Sequence, residues 1–196
     1  MKVINLTSKS KIYTSNAYCL LGNWNALADV NTLVDVGRDP EAIQKLEQLN
    51  TGVGKRRVDQ VILTHSHYDH TSILSDLVER YNPRVYAYSS SVSNTRACLR
   101  DEQRLPCADQ ECEIIHIPGH SQDSVCVYCP LEKALFSGDT PLFTLQFAGD
   151  HEMGFVNALY KLMQKDVQTI YPGHGLPVTN KCNQIIRETY LRVKKK

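Results

Sequence analysis

Residues 64–70 read Thr-His-Ser-His-Tyr-Asp-His, which puts four side chains able to bind a metal ion, His65, His67, Asp69 and His70, close together in one short stretch. Along an extended backbone side chains alternate between two sides, so His65 and His67 project together and both imidazoles can reach one ion. Asp69 and His70 fall where the chain turns into a helical pattern, and the change of direction aims them at a second ion nearby. Imidazole nitrogen with carboxylate oxygen suits zinc, iron or manganese, and the lack of cysteine in the cluster argues against a closed thiolate structural site.

Three further candidates each follow a glycine: Pro118-Gly119-His120, Ser137-Gly138-Asp139 and Pro172-Gly173-His174-Gly175. All three come after strand-like runs, and glycine permits the positive φ or close backbone approach that a tight turn presenting a ligand requires. If these were ordinary surface or core positions, chance would have gathered five of the seven histidines into one pattern. The other two, His116 in a strand-like run and His151 at a helix start, read as structural or solvated. Tyr68 reads as a packed aromatic, and Phe143 and Phe147 as core.

The elements that must position these groups follow from periodicity. Strand-like runs cover residues 3–6, 17–21 and 32–36, ended by polar residues or glycines such as Gly22 and Gly37. A helix fits residues 39–49, with Pro40 suited to a first helical position and Ile43, Leu46 and Leu49 on one face. Residues 58–63 form a nearly continuous apolar run, as in a strand buried on both faces, and Ile73, Leu74, Leu77, Val78 and Tyr81 then recur at helical spacing. The ligand-rich stretch therefore lies on a strand-to-helix crossover, where a rigid scaffold commonly aims functional side chains. In the second half, residues 84–88, 113–117, 124–128, 134–137 and 168–171 read as strands. Phe155, Leu159, Leu162 and Met163 mark one helix, and Ile185, Ile186 and Leu191 a final one. Alternating strands and helices indicate an α/β architecture, with one open sheet and two packed sheets both compatible with the pattern.

Taken in order, His65-x-His67-x-Asp69-His70, Gly-His120, Gly-Asp139 and Gly-His174 resemble the metallo-β-lactamase superfamily in its glyoxalase II-like, single-domain branch. The resemblance runs from about the first strand to the last helix. It implies an αββα sandwich, two sheets face to face with helices outside and the site at one edge. It also implies that His65, His67 and His120 hold a first metal ion, that Asp69, His70 and His174 hold a second, and that Asp139 bridges them. Asp35 matches the acidic residue ending an early strand and would support a ligand without being one. Where relatives often carry a glycine pair after the ligand loop, this chain has Thr71-Ser72, a difference that touches helix packing more than chemistry.

The implied chemistry is metal-dependent hydrolysis, with Asp69 and Asp139 as the catalytic carboxylates and water activated between two divalent ions, zinc foremost, as the nucleophile. A thioester such as an acyl-glutathione analogue is the first substrate class. About one helix follows His174 in this sequence, so no counterpart is expected within it to the helical region with which two-domain members of that branch recognise glutathione. The rival from another reaction class is a mononuclear-iron persulfide dioxygenase; lactonase and phosphodiesterase activities belong to the same hydrolytic reading. Flavodiiron oxidoreductases fit less well, because they usually place a carboxylate where His67 stands. A non-catalytic metal-binding scaffold would be favoured by missing ligands, and none is missing.

Composition bounds the remaining classes. A chain of 196 residues is long enough to bury a core as one domain over residues 1–196. Its formal net charge of +1 supplies no field that would recruit nucleic acid or a membrane surface, so the expected partner is a small-molecule substrate. The N-terminus lacks the pattern of a signal peptide and no apolar run approaches spanning length, so a cytoplasmic protein is expected. The seven dispersed cysteines read as reduced thiols. Cys126 and Cys129 stand in a strand, where positions three apart face opposite ways, and Cys107 and Cys112 flank a polar loop as bystanders.

Overall fold

A computed structural model describes residues 1–142 and 153–194, so Phe143, Phe147 and His151 lie outside the described residues. The first sheet orders β1 (Lys2–Asn5), β2 (Tyr18–Leu21), β3 (Thr32–Val34), β4 (Gln60–Ile62), β5 (Arg84–Ala87) and β6 (Ala97–Cys98) in chain sequence. Its first three strands pair antiparallel and β3 to β6 pair parallel. The second sheet runs β7 (Arg104–Cys107), β8 (Gln110–His116), β9 (Val125–Cys129), β10 (Ala134–Gly138) and β11 (Thr169–Pro172), antiparallel except for the β10–β11 pair.

Alternation along the strands builds three apolar layers. Tyr18, Leu20, Val34 and Ile62 of the first sheet meet Ile114, Val127 and Phe136 of the second. Their sequence neighbours Cys19, Leu33 and Val61 face the other way, onto α1 (Glu41–Gln48) and α3 (Leu74–Tyr81) through Ile43, Leu46, Leu74 and Leu77. Ile115, Cys126 and Leu135 face α4 (Met153–Met163) and α5 (Cys182–Lys194) through Phe155, Leu159, Leu162 and Ile186. The layering is the αββα sandwich implied by the sequence. It explains why residues 58–63 are apolar almost without a break: β4 is covered by helices on one side and the second sheet on the other.

The helix starting near Pro40 begins at Glu41, whose amide donates to Asp39 Oδ1 at 3.0 Å. On the last helix the buried face is Cys182, Ile186, Thr189, Tyr190 and Val193, while Leu191, read as part of the apolar face, is exposed. Two strands carry no sequence signal, because β6 spans only two residues and β7 includes Pro106 on a sheet edge, where a missing amide donor is tolerated. Among the described residues no helix is long and apolar enough to cross a membrane.

One cysteine expectation is corrected. Cys112 and Cys129 form a disulfide rather than remaining reduced. The β8–β9 register sets Glu113 opposite Tyr128, so Cys112 and Cys129 are directly opposed one step along, with Cα atoms 4.4 Å apart and both side chains in the layer between the sheets. Cys126 faces the opposite layer and remains a free buried thiol, its pKa pushed up to about 12 by burial.

Candidate metal centre

The seven candidate side chains arrive from both sheets at one edge of the sandwich. Parallel β3 and β4 end side by side, delivering Asp35 and the 64–70 stretch. Parallel β10 and β11 do the same for Asp139 and His174, and the Gly173 amide donates to the Gly138 carbonyl at 2.8 Å, tying the two turns together. His120 follows β8, and the Val125 amide donates to the Thr64 carbonyl at 2.8 Å, joining the sheets at the site. His67 precedes a single helical turn, α2 (Tyr68–Thr71), which supplies the change of direction that aims Asp69 and His70 inward.

The structure brings all seven together. In each of three trios, His65 with His67 and His120, His65 with His70 and Asp139, and Asp69 with His70 and His174, the donor atoms lie within 4.8 Å of one another. Asp139 spans the trios: its Oδ1 is 3.3 Å from His70 Nε2, and its Oδ2 is 3.6 Å from His120 Nε2 and 3.5 Å from His174 Nε2. Asp69 Oδ2 lies 3.1 Å from His174 Nε2.

Orientation comes from behind. Asp35 adopts a left-handed backbone, φ 55°, which aspartate tolerates better than most residues and which turns its carboxylate back under the site. It accepts from the Thr64 amide and hydroxyl, both at 2.8 Å, and lies 2.8 Å from His70 Nδ1. The Thr64 hydroxyl in turn lies 3.1 Å from His65 Nδ1. With Nδ1 of His65 and His70 engaged in this way, each Nε2 faces the cage and offers its lone pair whenever the ring is neutral.

Those atoms face one another and, among the described residues, find no aligned hydrogen-bond partner. His65 Nε2, His70 Nε2, His174 Nε2 and Asp139 Oδ1 are buried without an aligned hydrogen bond, a cost that native structures rarely carry. Electron-pair donors converging unpaired on one volume fit a cation. The electrostatics point the same way. Burial opposes charge on His70, yet Asp35 and Asp139 outweigh it and lift its pKa to about 10. Burial, reinforced by the His70 charge, holds His65 down to about 4, and burial also lowers His120. His174 is raised by its contact with Asp139. Burial would raise the Asp139 carboxyl, but His174 and His70 hold it far below the usual range. The carboxylates thus demand positive charge inside the cage, as a proton on His70 or as a metal ion.

Other residues contribute that spacing alone did not single out. The Asn16 side-chain amide donates to the Pro172 and Gly175 carbonyls, both at 2.9 Å, and the Tyr18 hydroxyl donates to Pro172 at 2.9 Å, so the β1–β2 segment clasps the His174 turn. Tyr13 stacks on the His174 ring, with centroids 5.3 Å apart and planes 16° from parallel. Tyr68, read as a packed aromatic, is instead 60% exposed, because the helical turn that buries Asp69 and His70 points it outward. His116 stands apart, stacked on Tyr88 with centroids 3.8 Å apart and its Nε2 2.8 Å from the Gln122 carbonyl.

With this geometry in view, the sequence matches the family described as the metallo-beta-lactamase superfamily over residues 26–106 and 94–174. The chain belongs to that superfamily. Among curated members it is 33% identical over 124 residues to the lactamase-like protein notP of Aspergillus sp., covering 63% of this chain and 39% of that one. It is 28% identical to the atrochrysone carboxyl ACP thioesterase nsrC of Aspergillus novofumigatus, covering 78% of this chain and 48% of the relative. A probable hydroxyacylglutathione hydrolase of Schizosaccharomyces pombe is 29% identical, covering 77% and 61%. The chain thus spans about half the length of these superfamily relatives. Among solved structures, BLEG-1 B3 metallo-beta-lactamase superposes with a TM-score of 0.66 at 23% identity, covering 98% of each chain. ETHE1 from Myxococcus xanthus superposes at 0.70 with 18% identity, covering 100% of this chain and 91% of that one, a likeness of fold.

Proposed function

We propose that this chain is a metallo-hydrolase of small-molecule thioesters that holds two divalent metal ions, zinc foremost. His65, His67 and His120 hold one, Asp69, His70 and His174 the other, and Asp139 bridges them. The observation that carries this reading is the set of buried donor atoms on His65, His70, His174 and Asp139 that face one volume without an aligned hydrogen bond among the described residues. The thioesterase and hydroxyacylglutathione hydrolase names of superfamily relatives support the thioester as the bond cleaved.

Such an ion pair, when bound, supplies Lewis acidity and a water acidified toward neutrality. The protein's own part is placement. Thr64 and Asp35 fix the His65 and His70 rings, Asp139 sets its carboxylate among His70, His120 and His174, and Asp69 and Asp139 would position the attacking water. Beside them lies a cavity of about 370 Å3 walled by His120, Asp139, Thr140, Pro141, Leu142 and His174, a size suited to one arm of a small molecule.

Protein purified without added metal should carry two ions per chain by elemental analysis, and that measurement also decides between zinc and iron. It should cleave thioesters in a panel with lactones and phosphodiesters, and Asp139→Ala should lose both the second ion and the activity. No turnover of any panel member by fully metallated protein would overturn the hydrolase reading.

A further inference from the structure

A second wall of the site, separate from the residues around the cavity, is formed by the segment between β1 and β2 and the turn after β3. Tyr13 lies on the His174 ring. The next residue, Thr14, accepts from the Arg38 amide at 2.7 Å. The Arg38 guanidinium carbon stands 5.6 Å from the centroid of the Tyr68 ring, and Tyr68 sits between the candidate ligands His67 and Asp69. One chain of contacts therefore links Arg38 to both ends of the cage.

Three features of this wall call for a ligand. Tyr13 and Tyr68 are 63% and 60% exposed, leaving aromatic surface open beside a buried polar centre. Arg38 is exposed and has no carboxylate within ion-pair distance among the described residues, because the neighbouring Asp39 carboxylate faces the Ser10 hydroxyl and the Glu41 amide. Lys9 and Lys11, on the same segment as Tyr13, are also exposed and unpaired among the described residues. Asp69 and Asp139, the carboxylates whose charge acts on Tyr13, are engaged with His174 inside the cage. The rim is thus cationic and aromatic, although the whole chain is nearly neutral. A guanidinium held over a ring face is partly preorganised, and its planar fork matches carboxylate or phosphate oxygens.

We propose that Arg38, braced on Tyr68 and flanked by Tyr13, is a specificity-determining residue that reads an anionic group, carboxylate or phosphate, on the substrate arm remote from the scissile bond. The assignment deepens the thioesterase reading and rests on it for the identity of that bond.

The test uses metal-loaded protein and three thioesters: acetyl and succinyl esters of one small neutral thiol, and the acetyl ester of phosphopantetheine. Wild type should favour at least one charged substrate over the neutral one in kcat/KM. Arg38→Ala should cut that preference about tenfold, as expected for a lost charge-assisted hydrogen bond, with the change in KM, and Arg38→Lys should restore part of it. The substrate whose advantage collapses identifies the anion as acyl carboxylate or thiol-arm phosphate. Calorimetry with succinate and inorganic phosphate supplies a readout independent of turnover, and Arg38→Ala should weaken one of them about tenfold. If no thioester is cleaved yet anion binding falls in Arg38→Ala, the hydrolytic reading fails and the Arg38 assignment stands. Where thioesters are cleaved, absence of any preference in wild type overturns it, and in every case so does an anion affinity that survives Arg38→Ala.

Discussion

Asp35 Oδ2 lies 2.8 Å from His70 Nδ1 with both side chains buried, so one carboxylate outside the cage decides which ring nitrogen of His70 faces into it. The same carboxylate receives the Thr64 amide and hydroxyl, and Thr64 contacts His65. One residue on β3's end therefore orients a candidate ligand of each ion.

Asp35→Asn tests that arrangement cleanly. Asparagine has the same shape and accepts the left-handed backbone at this position, so strain is not introduced along with the charge change. Losing the carboxylate that holds His70 should weaken metal binding roughly 10- to 100-fold, measured by competition with a chromophoric chelator. Unchanged affinity would show that His70 does not depend on Asp35 for its orientation.

Metal binding should release protons, in proportion to the groups that hold them. In the metal-free protein His70, raised to about 10, is protonated at neutral pH, whereas His65, lowered to about 4, is already neutral. Calorimetric titrations in buffers of different ionisation enthalpy should report about one proton released on filling the His70 site near pH 7, and affinity should rise with pH. The stability linkage has the opposite sign. Because the folded pKa of His70 lies above its unfolded value, its pairing stabilises the metal-free fold fully below about pH 6.5, and that contribution fades as pH rises toward 10. Metal-free protein should therefore lose thermal stability from neutral to alkaline pH, and loaded protein should lose less.

The legibility of these groups in the sequence followed distance along the chain. His65, His67, Asp69 and His70 were readable because they are local and dense, and His120, Asp139 and His174 because each follows a glycine at a strand end. The layers followed from alternation, as at Val61 and Ile62, which face opposite cores. Asn16 was not readable, since its partners at Pro172 and Gly175 lie more than 150 positions away and an asparagine in a polar segment carries no mark of them. The exposure of Tyr68 depends on the helical turn at Tyr68–Thr71, too short to leave a periodic pattern. The Cys112–Cys129 bond depends on strand register, which tertiary packing decides.

That bond carries its own expectation. It closes a separation of 17 residues between strands already paired, and by the loop-entropy argument its reduction should lower stability by roughly 3 kcal/mol or less. Denatured, unreduced protein should titrate five free thiols out of seven. A strong reductant should lower the unfolding midpoint, and Cys112→Ala with Cys129→Ala should remove that sensitivity. Seven free thiols in protein purified under air would contradict the pairing.

Gly173→Ala separates close approach from backbone conformation as the reason for a glycine beside His174. Gly173 does not have a positive φ, so a side chain is not excluded by the backbone. A methyl group there would instead overlap Asp139 Oδ1 and stand 2.8 Å from His70 Cε1 and 3.0 Å from the Gly138 carbonyl carbon. The backbone cannot easily retreat, because the Gly173 amide is bonded to Gly138. Asp139 must therefore shift from its place among His70, His120 and His174, and, if it joins two ions there, a displacement of about 1 Å should cost on the order of 100-fold in kcat and release one ion, with the circular dichroism spectrum unchanged. Gly54→Ala is the converse control: its φ of 74° resists a side chain, yet nothing lies within 4 Å of the added methyl. That variant should lose about 1 kcal/mol of stability and keep its full metal content. If Gly173→Ala also retained two ions and full kcat, Asp139 would not be the group that joins the two sides of the cage.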